Sequence, residues 1–504
     1  MKNKTRLLIF ISFLMSNSIF AQQKQILVTN QVQLNTAILA AVPGDIIVMK
    51  DGNWHNTEIN FNSKASALAP ITLKAQTPGS VILDGTSTLT FANPNLIVDG
   101  LFFKNGAINE NQISVVTFDS DNCRLTNTSI TDYNPKDFET KYFWVYLKGS
   151  QNRMDHCFLS GKNNMNPVLQ NGEENARYNQ VDHCYIKDIP YVKNANGREI
   201  FRIFGYGHAD QKGIDGAYFT IEYNLFDHAH GEGTEIISLK SNFNIVRFNT
   251  VIASKGGLVG RRGKNNTFEG NYVFGQNEEG STGIRVAGAN HRVINNYIDG
   301  VSEDGLRLIA GEYFEKSLTA DFAPKKKDLP KYLQVQNGYF AQNTIVNCGE
   351  NGINVGFSYK NQWPKLQMVL LPENNQFVNN IVYNCKGNAV NLAIIDKKTP
   401  LEFFNFKPNS FEGNIVFGQN ASNTTLPSGI KVVDPLLKLS KDETYQLTLK
   451  SPAINNGVAS DVKDDIEGKS RDNKKDIGSS EYGVLSTSRH PLTAAEVGPS
   501  WRVK

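Results

Sequence analysis

The chain has 504 residues, with 52 Lys and Arg against 49 Asp and Glu. Its length suits either more than one ordinary domain or a solenoid around one continuous core, and this charge balance argues against a general polyanion-binding surface and against nucleic acid as a partner. Five widely spaced cysteines make neither a disulfide framework nor a zinc signature, and are read as buried free thiols.

The chain opens with MKNKTRLLIFISFLMSNSIFA, a basic start, an apolar run and small or polar residues ending at Ala21. This reads as a secretory signal peptide over residues 1–21 rather than a membrane span, so a periplasmic or secreted protein without a lipid anchor is expected. Without Lys2, Lys4 and Arg6, 49 basic residues face 49 acidic ones. Next, QVQLNTAILAAV predicts a short helix that caps the open end of a solenoid.

From residue 95 onward one unit recurs: a short β-branched run, a polar corner, a second short run. Examples are NLIVDGLFFKNG, NRMDHCFLSG, NQVDHCYIKD, FTIEYNLFDHA, FNIVRFNTVIAS, NTFEGNYVFGQN, HRVINNYIDGV, QFVNNIVYNCKG and SFEGNIVFGQN. Its corner asparagines Asn224, Asn249, Asn271 and Asn296 are 25, 22 and 25 residues apart, and Cys157 and Cys184 are 27 apart. Such a period, without helical spacing, predicts a right-handed parallel β-helix whose stacked corner asparagines satisfy one another. The expected layout is one β-helix domain over 22–485 and a C-terminal tail over 486–504. Longer gaps at 184–224 and 296–343 mark inserted loops, the second with a charged, helix-prone excursion over about 311–334.

The chemistry concentrates in GEGTEIISLKS, residues 231–241, and GGLVGRRG, residues 256–263. Lys240 and Arg261 are 21 residues apart, about one rung, and Arg285 of TGIRV follows Arg261 by 24. Lys240, Arg261 and Arg285 are therefore expected as one basic column, stacked about 4.8 Å apart. A lone lysine on a strand is most often solvated, and RRG followed by KNN also reads as a basic turn; the rung-matched spacing sets this group apart. A basic column suits a uronic-acid polymer, whose carboxylates guanidinium groups accept in bidentate fashion. It also suits proton abstraction α to a carboxylate, because the enolate-like intermediate needs cations aimed at it. Glu232 and Glu235 read equally as partners of these cations or as Ca²⁺ ligands.

With NLF at 224, EIISLKS at 235, GRRG at 260 and GIRV at 283, plus VPGDIIVMKDGNW and APITLKAQTPGSVILDG near the N-terminus, the chain resembles polysaccharide lyase family six. That group of alginate lyases and chondroitinase B-like enzymes consists of right-handed β-helices that cleave uronate polymers by β-elimination. The resemblance implies Lys240 as Brønsted base and Arg261 as acid or its assistant. It also implies Ca²⁺ held by Asn196, in NGREIFRIFG, and by a Glu-x-Glu pair ending at Glu235. GEGTE has Gly233 where that pair's first glutamate belongs. Two readings stay open: a bulge at Gly233 brings Glu232 to the metal, or the substrate carboxylate is neutralised without calcium.

Arg262 stands where the family commonly has His, and is assigned with Arg285 to substrate binding. The GIR tripeptide resembles the alginate-cleaving branch, so the expected function is alginate lyase, the acidic polysaccharide its partner. The alternatives are a dermatan sulfate lyase and a non-catalytic uronate-binding β-helix; a hydrolase lacks a matched carboxylate pair, and epimerisation shares the C5 abstraction. Tyr206, Tyr223 and Tyr272 are considered as stacking platforms but read as core no less readily.

Overall fold

The structure is a computed structural model that describes residues 24–205, 215–313, 332–359, 368–395, 406–483 and 488–502. The expected signal peptide and Tyr206 lie outside the described residues. Short strands coil into three long parallel sheets of 14, 13 and 14 strands, and over most of the coil each strand pairs with the strands three before and three after it. This is the right-handed parallel β-helix that the repeat predicts.

The sequence folds this way because each rung carries inward aliphatic and aromatic residues that find their own kind one rung away. Phe91 stacks on Phe118 with ring centroids 4.5 Å apart, and Phe340, Phe377 and Phe411 continue the pattern at 5.0 and 4.6 Å. A helix over Gln31–Ala40 seals the N-terminal end. Asn30 caps it by accepting from the Gln33 N–H at 3.0 Å, and Leu34, Ala37 and Ile38 face the solenoid core. It stops at Ala41, which is extended, two residues before Pro43.

The asparagine ladder lies at the corner between the first and third sheets. The Asn224, Asn249, Asn271 and Asn296 side-chain amides each donate to the next at 2.9–3.0 Å, and the ladder continues through Asn343 and Asn380 to Asn414. Cys157 and Cys184 hold the same corner in earlier rungs, where the Cys184 N–H donates to Asn224 Oδ1 at 2.9 Å. All five cysteines are buried free thiols, as expected. The residue preceding the corner is left-handed, as at His183 (φ 51°), Tyr223 (φ 52°) and Phe248 (φ 55°). These rings stack at 5.2 and 5.1 Å, which offsets the backbone cost. Tyr223 therefore belongs to a corner stack, and Tyr272 is buried beneath the C-terminal segment with Tyr297, Val346 and Ile466; neither is a sugar platform.

The insertions flank the strands of the 13-stranded sheet. Of the excursion expected over 311–334, the described part is not helical: Gly311–Glu312 pairs antiparallel with Met368–Leu370. The rest lies outside the described residues. The segment 488–502, within the expected tail, is docked rather than loose. Trp501 packs on Phe102 and donates to the Asn127 carbonyl at 2.8 Å, and the Arg502 guanidinium lies over Phe158 and Tyr185 at 4.6 and 4.4 Å.

A second polar ladder, unanticipated from the sequence, lies between the second and first sheets, where Asn244 donates to Asn266 at 3.0 Å and the Asn266 N–H donates to His291 Nδ1 at 3.3 Å. Burial pushes His291 down to about 4. The unfolded chain therefore binds the extra proton below the usual imidazole value of about 6.5, so stability is full above that pH and is lost as pH falls toward the folded value. Going from about pH 7 to about pH 5 should cost the wild type about 2 kcal/mol through this group. His291→Asn, copying the residue one rung away, should remove that part of the slope in urea denaturation. Equal slopes for both proteins would contradict it.

Candidate active site

Five consecutive strands of the 13-stranded sheet build the site: Phe201–Ile203, Glu235–Lys240, Gly256–Arg262, Ser281–Val286 and Leu306–Ile309. Their register runs Arg202, Ser238, Val259, Arg285, Arg307 along one line. This corrects the expected basic column. Leu239 pairs with Gly260 but Lys240 pairs with Arg262, so Arg261 occupies a bulge, and Arg285 stacks on Val259 rather than on Arg261. One extra residue in the GRR turn breaks the rung-to-rung alignment that counting residues assumes.

The side chains converge all the same, through carboxylates. Lys240 Nζ lies 2.6 Å from Glu199 Oε1, and Arg202 Nη1 is 3.2 Å from Glu199 Oε2. Arg285 Nη2 contacts Glu235 Oε1, with Arg261 Nε 3.5 Å from the same oxygen. The Arg285 Nε–H is buried and has no acceptor among the described residues. Arg261 also lies over the Tyr332 ring at 3.8 Å, and Lys240 over Phe204 at 5.4 Å. Burial, then the Arg261 charge, pushes Arg262 below its ordinary value.

Glu199 is the residue that sequence reading missed. Phe201 pairs with Ile237, so Glu199 of REIFRI opens its strand as Glu235 opens EIISLK. The shared Glu-Ile-apolar pattern was the available signal, and the inserted loop between the two rungs hid it. Asn196, the residue matched by resemblance, is exposed on the loop three positions earlier. The carboxylate oxygens of Glu199, Glu232 and Glu235 lie within 4.8 Å of one another.

The GEGTE departure thus still delivers a glutamate. Gly233 takes φ +80°, and a Cβ there would meet the Tyr191 ring at 2.6 Å, so glycine permits the bulge that turns Glu232 inward. Glu232 Oε2 accepts from the Gly197 and Arg198 N–H groups at 2.7 and 3.3 Å, and Oε1 from the Thr234 hydroxyl at 2.8 Å. Burial, then the Glu199 and Glu235 charges, pushes its carboxyl up. Burial acts the same way on Glu199, but Lys240 and Arg202 override it and hold that carboxyl low. Five cations, Lys240, Arg202, Arg261, Arg262 and Arg285, lie around these three carboxylates, and Glu312 is a further negative charge acting on Arg262.

A parallel β-helix with a lysine and several arginines converging at one strand end defines a class of protein, a β-helix with a cationic site suited to an anionic ligand. The sequence profile of the chondroitinase B family matches residues 28–450. The chain belongs to that family, the polysaccharide lyases of family six, and is a polysaccharide lyase. It is similar to the PL6 family polysaccharide lyase Pedsa3628 from Pseudopedobacter saltans, at 46% identity over 83% of this chain and 98% of that one, with a TM-score of 0.73. The PL6 family alginate lyase AlyGC matches at 27% identity over 95% of this chain and 59% of that one, with a TM-score of 0.76. A mannuronic acid specific family 6 lyase from human gut microbiota matches at 28% identity over 79% of this chain and 87% of that one, with a TM-score of 0.67. No match is found among curated protein sequences.

Because Glu235 is nearly enclosed and compensates Arg285, Glu235→Met should destabilise the fold by about 3–5 kcal/mol, the cost of stranding a buried charge. The double variant Glu235→Met/Arg285→Met should recover most of that loss. Additive losses in urea denaturation would contradict the pairing.

Proposed function

We propose that this lyase cleaves alginate by β-elimination. The observation that carries the reading is the convergence of Arg261 and Arg285 on Glu235 beside Lys240, with one buried Arg285 N–H that has no acceptor among the described residues. A uronate carboxylate is the anion that such a guanidinium receives, in competition with Glu235. Neutralising that carboxylate acidifies the C5 proton on the carbon next to it, and Lys240, as the free amine, removes it. Glu199, already at 2.6 Å, stabilises the ammonium that forms. Electrons then move into the C4–C5 bond as the C4–O4 bond breaks. Arg261 assists protonation of the departing O4, Arg262 adds a cation toward the polymer, and an unsaturated uronate end remains.

The donor set also fits a hard cation, since three carboxylates offer oxygens within 4.8 Å of one another, and burial, then the Glu199 and Glu235 charges, pushes the Glu232 carboxyl up. Glu199, Glu232 and Glu235 would hold Ca²⁺, which when bound supplies further neutralisation of the substrate carboxylate. Alginate is favoured by the GIR tripeptide at Arg285 and by the alginate lyases among the similar structures. Dermatan sulfate stays as the second reading because the matching profile is that of the chondroitinase B family. Export to the periplasm or medium follows the reading of the first 21 residues, and no helix among the described residues is long and apolar enough to cross a membrane.

Purified protein should raise the ultraviolet absorbance of unsaturated uronate on alginate and not on dermatan sulfate. Lys240→Ala should lower that rate by about 10²–10⁴-fold, while polymer binding persists. A rise only on dermatan sulfate would move the substrate, and an undiminished rate in Lys240→Ala would overturn the assigned base. Calorimetric titration of chelator-treated protein should show Ca²⁺ binding that Glu232→Gln weakens; no heat would overturn the metal assignment.

A further inference from the structure

Beneath the acidic cluster lie two buried cations that the mechanism does not use. Lys162 and Arg198 are 1% and 2% exposed. Among the described residues their hydrogen-bond partners are all amide oxygens. Lys162 Nζ donates to Asn164 Oδ1 at 2.7 Å and to the Asn164, Met165 and Asn166 carbonyls at 3.0, 3.2 and 2.8 Å. Arg198 Nε donates to the Asn164 carbonyl at 3.0 Å and Nη2 to the Lys162 carbonyl at 2.7 Å. Its Nη1 donates to the Pro190 and Gly231 carbonyls at 2.6 and 3.1 Å.

These acceptors belong to three successive turns of the coil, which follow the strands Phe158–Ser160, Tyr185–Ile189 and Leu225–Ala229. One guanidinium therefore ties three loops together at the edge where the site begins. Glu199 directly follows Arg198, and Glu232 directly follows Gly231. Gly231 is left-handed at φ +55°, and a Cβ there would come within 2.6 Å of the Arg198 carbonyl, so the two loops meet without room for a side chain. The Arg198 N–H also supports Glu232. Burying two cations without carboxylate partners is a costly way to gain stability; as a means of fixing backbone positions, the five-donor fork of arginine is well suited.

We infer that Arg198, seated on the loop that Lys162 organises, is a positioning residue: it holds Glu199 against Lys240 and turns Glu232 over the cluster. The inference rests on the reading of Lys240 as the base. Its test compares full-length wild type, Arg198→Met and Arg198→Lys in three measurements: kcat and KM on alginate, the thermal midpoint, and the rate at which acetic anhydride acetylates Lys240 relative to the exposed Lys104, followed by mass spectrometry.

With Glu199 no longer held on the ammonium, Arg198→Met should acetylate several-fold faster at Lys240. Its kcat should fall about tenfold to a hundredfold, with KM little changed. Arg198→Lys, which keeps a donor for some of the carbonyls, should recover part of both. A lower thermal midpoint with unchanged kcat and Lys240 reactivity would overturn the inference. Should Arg198→Met fail to fold, Lys162→Met carries the same test, since it frees the 164–166 loop and leaves the guanidinium in place. If the wild type releases no unsaturated product but Lys240 reactivity still follows Arg198, the positioning role stands and the lyase reading falls.

Discussion

Everything in this molecule depends on stacking in register, and the interaction that enforces register is the buried asparagine ladder. A corner amide out of step by one residue would lose its partner on the next rung and strand donors in the core. From Asn224 to Asn414 each rung therefore repeats the vertical position of the last, whatever the length of the loops between. The same constraint makes any outward charge meet its neighbour at strand spacing. In the first sheet like residues stack, Arg124 on Arg153 and Asp155 on Asp182, and the ion pairs run diagonally between those columns, Arg124 to Asp155 and Arg153 to Asp182, each at 2.6 Å.

The site departs from that solution. Arg202, Arg285 and Arg307 lie on one line with only Ser238 and Val259 among them, so like charges accumulate. Carboxylates from the strand starts answer instead: Glu199 takes Lys240 and Arg202, and Glu235 takes Arg261 and Arg285. The bulge at the GRR turn then lets Arg261 and Arg262 act as separate groups, one over Tyr332 and one paired with Lys240 in the ladder. A strand that obeyed the register throughout would place one of those two side chains in the core.

The fold was legible because a repeat multiplies a weak signal: one Asn corner means little, but several at spacings of 22 and 25 residues require a stack. Lys240, Arg261 and Arg285 were found by the same arithmetic, Glu232 and Glu235 by the GEGTE stretch beside Lys240, and they do gather at one place. The arithmetic failed where the backbone changes its count. Arg261 was assigned to the wrong column because a bulge is invisible to spacing. Glu199 was passed over because an inserted loop separates its rung from the next, and the register that pairs Phe201 with Ile237 appears only once the chain is folded. The second polar ladder escaped notice because its members change identity, from Asn266 to His291, which still accepts the backbone N–H of the rung before.

The ion pairs also explain how a buried cationic site stays folded while it waits for an anion. Without Glu235, Arg285 and Arg261 would face each other across a nearly dry strand end, and without Glu199 so would Lys240 and Arg202. A uronate carboxylate has the charge and planar shape of the glutamates already there, so it exchanges one ion pair for another instead of entering an empty positive pocket. On the proposed mechanism the net gain of that exchange is small for the ground state, which leaves the larger gain for the reaction, when the charge left at C5 by the departing proton spreads onto the carboxylate oxygens that the same guanidiniums hold. On the proposed function the glutamates set the resting positions of the cations, and a uronate would be preferred over a neutral sugar because a carboxylate has to replace a carboxylate.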